Sequence, residues 1–393
     1  GLVGSEMCIR DRKESIHINV SNEVLVWARE SLVMNRTQAS EKAEISHKRL
    51  VQLETGEKPP TLEELKVLSK TYKRTIATLL LNKPPKEKPL PADRRTINSK
   101  ELENFHEKTI MAVRKARALA QSFVELREEM GQELPKFTLS ATIQDQPQGV
   151  AAKVRKLLQL KELRKITNIN HALEAYIEKI ESLGVAVFQL SLTQDNLRGF
   201  SIVDDIIPVI GIKRGGEQAH SKTFTLFHEL GHILLNKGGL CDLSLNSQIE
   251  IEKWCNAFSA EILVPSADLL KMEIVLDYQH QGQKQWAKKD LIKLGNYFHV
   301  GPLAILRSLL ENRLTTKAYY KEKHEKWNKP QFGRSINPEG RNLAKEAVQE
   351  KGKTYIGLAF KAFDQNRINI KDLSDFLGVK LSYIPKTRQL LNA

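Results

Sequence analysis

The residues with the clearest capacity for chemistry are His228, Glu229 and His232, which form the pattern H-E-x-x-H in the apolar run 224–235. Imidazoles four residues apart lie on one face of a helix, about one turn apart, and can bind the same metal ion. The glutamate between them is placed to take a proton from a water molecule beside that ion. Zinc suits neutral imidazole and carboxylate ligands and needs no redox chemistry, so Zn²⁺ is the expected cofactor.

A catalytic zinc ion takes three protein ligands and keeps one position open, so a third ligand is expected elsewhere in the chain. The segment 249–264 predicts a second helix, with carboxylates at Glu250, Glu252 and Glu261. Glu252 follows His232 by 20 residues, which leaves room for a turn and a returning helix. Asn256 lies one turn further along the same face, where it can orient a liganding histidine. Spacing alone leaves Glu250 and Glu261 as alternatives to Glu252.

The two segments, F-T-L-x-H-E-L-G-H and E-x-x-x-N-x-F-x-A-E-x-L-x-P, resemble the ImmA/IrrE family of zinc metallopeptidases. In that family two histidines and a later glutamate bind zinc, and the internal glutamate is the catalytic base. The resemblance implies that His228, His232 and Glu252 are the ligands here and that Glu229 is the base. It also implies a protein substrate, often a DNA-bound repressor that is cut to relieve repression after stress or in mobile elements.

Other polar residues near this region are open candidates. Tyr278 and His280 follow the second helix and are of a type that can stabilise an oxyanion. His220 and His299 are interpreted as structural histidines rather than ligands.

Residues 21–82 predict a compact domain of five helices. Ser46 is expected to cap the third helix, and Gly56 to end it. The run 45–62 resembles the Cro/C1-type (XRE) helix-turn-helix domain, in which the third helix enters the major groove of DNA. Transferred by position, the resemblance implies that the DNA-contacting residues are Gln38, His47, Lys48 and Gln52.

Two features of this domain weaken the expectation of tight DNA binding. Glu44 occupies the turn before the third helix, where glycine is usual in the family. Residues 21–81 contain ten Lys and Arg and eight Asp and Glu, a net charge of only +2. Few DNA phosphates would therefore be neutralised. The alternative is a domain used for protein docking or dimerisation.

The composition constrains the class of protein and its compartment. A net charge of +14 favours nonspecific attraction to nucleic acid. Three cysteines without a C-x-x-C pair are typical of the reducing cytoplasm. No apolar run approaches the length of a membrane span. Residues 1–12 resemble translated sequencing-adapter sequence and are interpreted as a non-native leader, so the native start is expected to be missing.

The rest of the chain predicts four segments: a proline-rich linker, a helical connector, a peptidase domain and a helical C-terminal region, at 83–98, 99–146, 147–327 and 333–385. Three strands are expected before the H-E-x-x-H helix, at 185–190, 198–203 and 206–212, with a hairpin at 204–205. The expected fold class is therefore α+β and mostly helical. An all-α helix-turn-helix domain precedes a zincin-like domain with a small β-sheet, and helices follow. Apolar residues in the connector recur at nearly heptad spacing. The plain interpretation is that the connector helix packs against the next domain, and the alternative is that it forms the interface of a homodimer.

Together these features predict a cytoplasmic zinc-dependent metallo-endopeptidase fused to a DNA-binding domain, acting on a repressor-like regulatory protein. The alternative is a non-proteolytic transcriptional regulator, or an antitoxin-like protein that binds DNA or protein, with a structural or sensory zinc site. An intact Glu229 favours the enzyme, because a structural site needs no base.

Overall fold

The structure, a computed structural model, describes residues 17–87, 107–192, 197–203, 206–236, 245–327 and 342–391, with 236 and 245–249 described by their backbone alone. These residues divide into two compact units, of which the first contains 17–87 and 107–110 and the second 111–391. The predicted class is confirmed, since the described chain is mainly helical with one small sheet. No helix in these parts of the chain is long and apolar enough to cross a membrane.

The first unit contains the five predicted helices: α1 (Asn22–Glu30), α2 (Arg36–Ala43), α3 (His47–Thr55), α4 (Leu62–Tyr72) and α5 (Ile76–Leu79). As expected, the Ser46 side chain accepts a hydrogen bond from the Arg49 amide and caps α3. Gly56 ends α3 in the left-handed conformation, at φ 75°. Glu44 takes a similar conformation before α3, at φ 53°, which explains why glycine is the usual residue there.

A buried carboxylate ties three helices of this unit together. Glu54 on α3 accepts hydrogen bonds from Arg29 Nε at 2.6 Å and from Arg36 Nε at 2.8 Å. Because a buried charge is costly unless it is paired, this cluster fixes α1 and α2 against α3. The apolar core around it includes Leu25, Leu50 and Leu65.

The second unit begins within α6 (Glu107–Glu129) and continues with α7 (Pro147–Leu157) and α8 (Ile169–Glu181). The sheet and its two partner helices follow as β1 (Ala186–Leu190), β2 (Gly199–Ile202), β3 (Val209–Lys213), α9 (Ala219–Asn236) and α10 (Leu245–Leu263). The later helices are α11 (Ser266–Leu269), α12 (Glu273–His280), α13 (Lys288–Phe298), α14 (Pro302–Glu311), α15 (Lys317–Trp327), α16 (Leu343–Asp364), α17 (Ile370–Leu377) and α18 (Ile384–Leu391). Of the predicted connector helix and linker, residues 99–106 and 88–98 lie outside the described residues.

The sheet has the order β1–β3–β2. β1 runs parallel to β3, with Ala186 opposite Val209, and β2 runs antiparallel to β3, with Gly199 opposite Ile212. The three predicted strands are therefore present, although β3 begins three residues later than expected. The predicted hairpin residues 204–205 lie outside the described part of the chain. Helix α9 packs on β2 and β3, which places the H-E-x-x-H segment beside one edge of the sheet.

Of the C-terminal helices, α16 packs on the same sheet, and α17 and α18 pack on α16. Helix α16 is one run broken at Gly352, whose φ of 81° and ψ of 158° are not helical. Tyr355, after the break, packs edge-on against Phe188 of β1 with ring centroids 6.4 Å apart. Arg214, just after β3, pairs with Glu350 of α16 at 3.2 Å. In the described chain, α16 thus packs on the β1 side, and β2 is the edge strand on the other side of the sheet.

Candidate metal centre

Helix α9 carries the two histidines because its apolar residues form a buried stripe against the sheet and α10. Leu226, Phe227 and Leu230 are fully buried. The His228, Glu229 and His232 side chains border this stripe and are themselves buried, with 4%, 3% and 4% of their surface exposed. Buried polar groups of this kind need partners, so the surroundings of the three side chains determine what they can do.

Helix α10 returns alongside α9 at close range. Gly231 makes this approach possible, because a Cβ atom at that position would lie 3.1 Å from Cys255 Sγ and 3.3 Å from Cys255 Cβ. The last turn of α10 is fixed by two arginines, since Arg155 donates to the Ile262 carbonyl and Arg164 to the Leu263 carbonyl. These carbonyls have no partner within the helix, so the arginines satisfy them and hold the C-terminal end of α10 in place.

Three side chains from the two helices converge on one point. His228 Nε2 lies 3.1 Å from His232 Nε2 and 3.3 Å from Glu252 Oε2, and His232 Nε2 lies 3.1 Å from Glu252 Oε1. In a tetrahedral zinc site with bonds of about 2.0–2.1 Å, two ligand atoms are about 3.3 Å apart. The distances between the three donor groups are therefore close to those of a zinc site, with a different oxygen of Glu252 nearest to each histidine.

The chemistry of the donors also fits a cation. Asn256 Oδ1 lies 3.1 Å from His228 Nδ1, so Nδ1 is the protonated nitrogen and the lone pair of Nε2 faces the other two residues. Among the described residues, the buried Glu252 Oε1 accepts no well-aligned hydrogen bond. Lone pairs and a carboxylate oxygen that face one another repel unless a positive charge lies between them. A divalent ion satisfies all three groups together.

The electrostatics of Glu252 agree with its position. Burial by itself would raise the pKa of this carboxyl, but its contacts with His228 and His232 outweigh burial and hold the pKa well below its usual range. The carboxylate is therefore ionised, as a metal ligand must be.

Glu229 is not one of the converging ligands, and its side chain packs against the sheet edge. A Cβ atom added to Gly199 of β2 would lie 3.2 Å from Glu229 Cγ and 2.6 Å from Thr225 Cγ2. The backbone of β2 thus rests directly on α9 beside Glu229, at a distance that only glycine permits. This contact was not predicted, although a glycine inside a strand shortly before the H-E-x-x-H segment was the available signal.

Comparison with known protein families agrees with this geometry. Residues 180–310 match the model of a peptidase family described as the IrrE N-terminal-like domain, and residues 25–79 match a helix-turn-helix family. The chain carries an IrrE N-terminal-like peptidase domain and a helix-turn-helix domain. The first match contains the whole sheet, α9 and α10. Neither a curated protein nor a solved structure matches the chain.

Within the IrrE N-terminal-like domain, the alternative carboxylates lie elsewhere. Glu250 is exposed. Glu261 accepts hydrogen bonds from the amide and the hydroxyl of Ser266, both at 3.0 Å, and so caps α11. Among the described residues, the three-residue group His228, His232 and Glu252 is the one suited to a metal ion. Cys241 lies outside the described residues.

The remaining candidates of the peptidase domain have other partners. The Tyr278 hydroxyl donates to Asp290 at 3.0 Å and accepts from the Ala287 amide, so it is engaged in packing. His280 is exposed. His299 is buried and bonded to the Tyr176 hydroxyl at 3.1 Å and the Ile166 carbonyl at 2.6 Å, as expected of a structural histidine. His220 has a lowered pKa because it is partly buried.

In the helix-turn-helix domain, the four predicted contact residues lie at the surface of α2 and α3. Gln38, His47 and Lys48 are exposed, and Gln52 is half-buried. Gln52 donates to Glu57 at 3.2 Å, and the Gln38 side chain accepts from the Asn35 amide at 3.0 Å in a capping box. The Gln38 side chain is therefore already used to cap α2, whereas His47 and Lys48 lie in the first turn of α3 and are exposed.

Proposed function

We propose that this chain is a zinc-dependent metallo-endopeptidase joined to a DNA-binding helix-turn-helix domain, and that it cuts a repressor-like regulatory protein. The observation that carries the proposal is the convergence of His228, His232 and Glu252 next to the buried Glu229. The three donors supply the three protein ligands of a catalytic zinc site, and a carboxylate that binds no metal stands beside them.

In this proposal each residue has a distinct task. His228, His232 and Glu252 hold the ion, and Asn256 keeps His228 in the tautomer that presents Nε2. When bound, zinc acidifies water and polarises a peptide carbonyl. Glu229 takes the proton of the attacking water and delivers it to the nitrogen of the leaving amine. Its packing against Gly199 keeps the carboxylate from turning away.

Because β2 is an edge strand, its outer side is suited to pairing with an extended peptide. In the described chain β2 pairs with β3 on one side alone, and its Gly199 touches the proposed base. A substrate strand that pairs with the outer side of β2 would pass directly in front of Glu229, held by backbone hydrogen bonds. An unfolded or loop segment of a protein fits such an edge better than a folded surface does.

The helix-turn-helix domain supports a substrate that is itself bound to DNA. We propose that His47, Lys48 and Gln52 on α3 face the duplex, with Gln38 near a phosphate. This places the enzyme at the operator of the repressor in the cytoplasm. Lys48→Ala with Gln52→Ala should weaken protection of such an operator in a footprint, and unchanged protection would remove these residues from the DNA contact.

The first test is the zinc content of the purified full-length protein, because it needs no knowledge of the substrate. About one zinc per chain is expected from the three-ligand set found in the described part of the chain. Glu252→Ala should lose the metal, while Glu250→Ala, the same change at an exposed carboxylate two residues away, should retain it. Equal losses in the two variants would refute the choice of ligand.

A second variant separates the enzyme from a regulator with a structural or sensory zinc site. Glu229→Gln should bind zinc like the wild type, because Glu229 is not one of the converging ligands, and should fail to cut a candidate repressor. If Glu229→Gln and the wild type affect the repressor equally, the non-proteolytic alternative is correct.

A further inference from the structure

The excess positive charge of the chain is not concentrated on the helix-turn-helix domain. Residues 21–81 have ten Lys and Arg against eight Asp and Glu, whereas residues 281–327 have ten Lys and Arg against four Asp and Glu. The second segment contains α13, α14 and α15. Ten cations less four acids leave six of the 14 net positive charges in this one segment of the second unit, on the three helices and the turns beside them.

The cations of this segment are at the surface of three helices, of which α13 and α15 both pack on α14. We call them the α13–α15 face; they are Lys284, Lys288, Lys289, Lys293, Arg307, Arg313, Lys317, Lys321, Lys323 and Lys326. All are exposed except Lys323, which is half-buried. Lys284 donates to the Arg313 carbonyl at 2.7 Å, and Lys288 lies 5.8 Å from the ring centre of Trp327. The first contact joins the segment before α13 to the turn before α15, and the second joins the start of α13 to the end of α15.

The four acids of the segment neutralise part of this charge. Glu311 pairs with Arg307 at 2.7 Å and Glu322 with Lys323 at 2.8 Å. Glu325 lies 4.0 Å from Lys321, and Asp290 accepts a hydrogen bond from the Tyr278 hydroxyl. Lys284 and Lys288 make the contacts described above instead of ion pairs. The other lysines that form no ion pair in the described part of the chain are called the unpaired lysines; they are Lys289, Lys293, Lys317 and Lys326.

Helix α15 contributes little to the core and much to the surface. Tyr319 is its one fully buried residue, while Tyr320 and Trp327 are half-exposed among the lysines. Its eleven residues extend over about 16 Å, along which a DNA duplex carries roughly one phosphate charge every 1.7 Å. Interleaved lysines and aromatic rings on one surface are typical of proteins that bind nucleic acid.

We propose that the α13–α15 face binds the phosphate backbone of duplex DNA as a second, sequence-independent contact. DNA is the proposed partner because its phosphates are complementary to the positive charge of this face. The helix-turn-helix domain of the same chain also points to DNA, and its own charge is nearly balanced. The contact goes beyond the proposed peptidase function and does not require that α3 bind DNA. It gives the chain affinity for DNA without sequence information.

The test measures binding of the full-length protein to a fluorescent duplex of about 30 base pairs and arbitrary sequence, by anisotropy across a series of salt concentrations. The face variant changes the four unpaired lysines, Lys289, Lys293, Lys317 and Lys326, to Gln. Each phosphate contact contributes about 0.9 to the slope of log affinity against log salt, so the slope should become shallower by about 3 to 4.

A matched control removes the same charge from exposed lysines on another surface. Lys153, Lys156, Lys161 and Lys165 lie on α7 and in the turns after it, and all four are exposed. The variant with Gln at these four positions has the same net charge as the face variant and should keep the salt slope of the wild type. Circular dichroism of both variants shows that they remain folded. An equal loss in the control would mean that net charge alone drives binding and would overturn the proposal.

The remaining outcomes separate this contact from that of the helix-turn-helix domain. The double variant Lys48→Ala with Gln52→Ala should still bind the arbitrary duplex, and its affinity should still fall steeply with salt. This result is expected whether or not α3 reads an operator. A face variant with the wild-type slope overturns the α13–α15 contact and leaves the α3 proposal standing. Binding to vesicles with about a third phosphatidylserine, without binding to the duplex, would replace DNA by a membrane surface.

Discussion

A single methyl group between α9 and α10 should weaken zinc binding without touching a ligand. Gly231 lies between the two histidines and faces Cys255 of α10, three residues after Glu252. A Cβ atom at position 231 would lie 3.1 Å from Cys255 Sγ, 3.3 Å from its Cβ and 3.4 Å from its Cα. Because two of these atoms belong to the stem and backbone of a buried residue, they cannot rotate away. Gly231→Ala therefore pushes the two helices apart.

The size of the effect follows from the distances. Non-bonded heavy atoms are comfortable at about 3.5–4.0 Å, so the helices must separate by roughly half an ångström. The ligand atoms of His228 and His232 would then move away from Glu252 by a similar amount. Metal sites tolerate deviations of about 0.2 Å, so we expect at least a tenfold loss of zinc affinity. The gain in helix propensity, about 1 kcal/mol, opposes an overpacking cost of about 1–3 kcal/mol.

The assay is competition for zinc with a chromophoric chelator, together with thermal melts of the metal-free protein. Gly149→Ala is the matched control, since Gly149 is also in a helix and a Cβ atom there meets nothing within 4 Å. The control should leave zinc affinity unchanged and stabilise the protein slightly. Adding Cys255→Ala to Gly231→Ala removes the closest contact and should restore part of the zinc affinity.

The reasoning fails if Gly231→Ala binds zinc like the wild type and melts at a higher temperature. That result would mean that α9 and α10 separate without moving the ligand atoms, or that the ligands do not come from both helices. Failure of Cys255→Ala to restore any affinity would place the clash elsewhere.

Three further outcomes are expected. Asn256→Ala should lower zinc affinity about 10–100-fold, because His228 loses its Nδ1 partner; an unchanged affinity in chelator competition would remove Asn256 from the site. Gly199→Ala should keep zinc but reduce cleavage, because the new methyl group presses on Thr225, on the Gly211 carbonyl and on Glu229 and so shifts the base; loss of zinc instead would contradict this separation of tasks. Burial raises the pKa of Glu181 to about 8, from an ordinary value of 4.5. The folded protein therefore keeps a proton that the unfolded chain releases, and stability should fall as pH rises from about 5 to about 8, by up to about 1.4 kcal/mol per unit. Urea unfolding of Glu181→Gln should show a flatter pH dependence over this range; a wild-type slope would assign the dependence to another group.

Much of the architecture could be predicted from local signals. The caps at Ser46 and Gly56 are encoded by residue types that satisfy helix ends in any context, and the five helices of the first unit lie where expected. The strands were found from runs of apolar residues bounded by glycine and polar residues, and the α+β class follows from them. The H-E-x-x-H spacing places two imidazoles on one side of a helix whatever surrounds it.

The break in α16 shows where local signals stop. Gly352 interrupts the helix with φ at 81°, and a Cβ atom there would meet the buried Glu181 carboxylate at 3.3 Å. The sequence predicted a helical C-terminal region, but nothing in its pattern indicated that the part after Gly352 would pack on β1. That depends on contacts between residues far apart in the chain, which periodicity does not record.

The candidate site divides in the same way. The sequence by itself determined the residue types, the histidine pair and the helix that carries it, because these depend on spacing within one segment. The tertiary structure decided which of three carboxylates faces the histidines: Glu252 lies within 3.3 Å of both, Glu250 is exposed and Glu261 caps α11. It also decided that Gly231 and Gly199 bring α10 and β2 against α9. The physical reason is that the separation and rotation of packed helices depend on side chains from both partners, and no single segment contains that information.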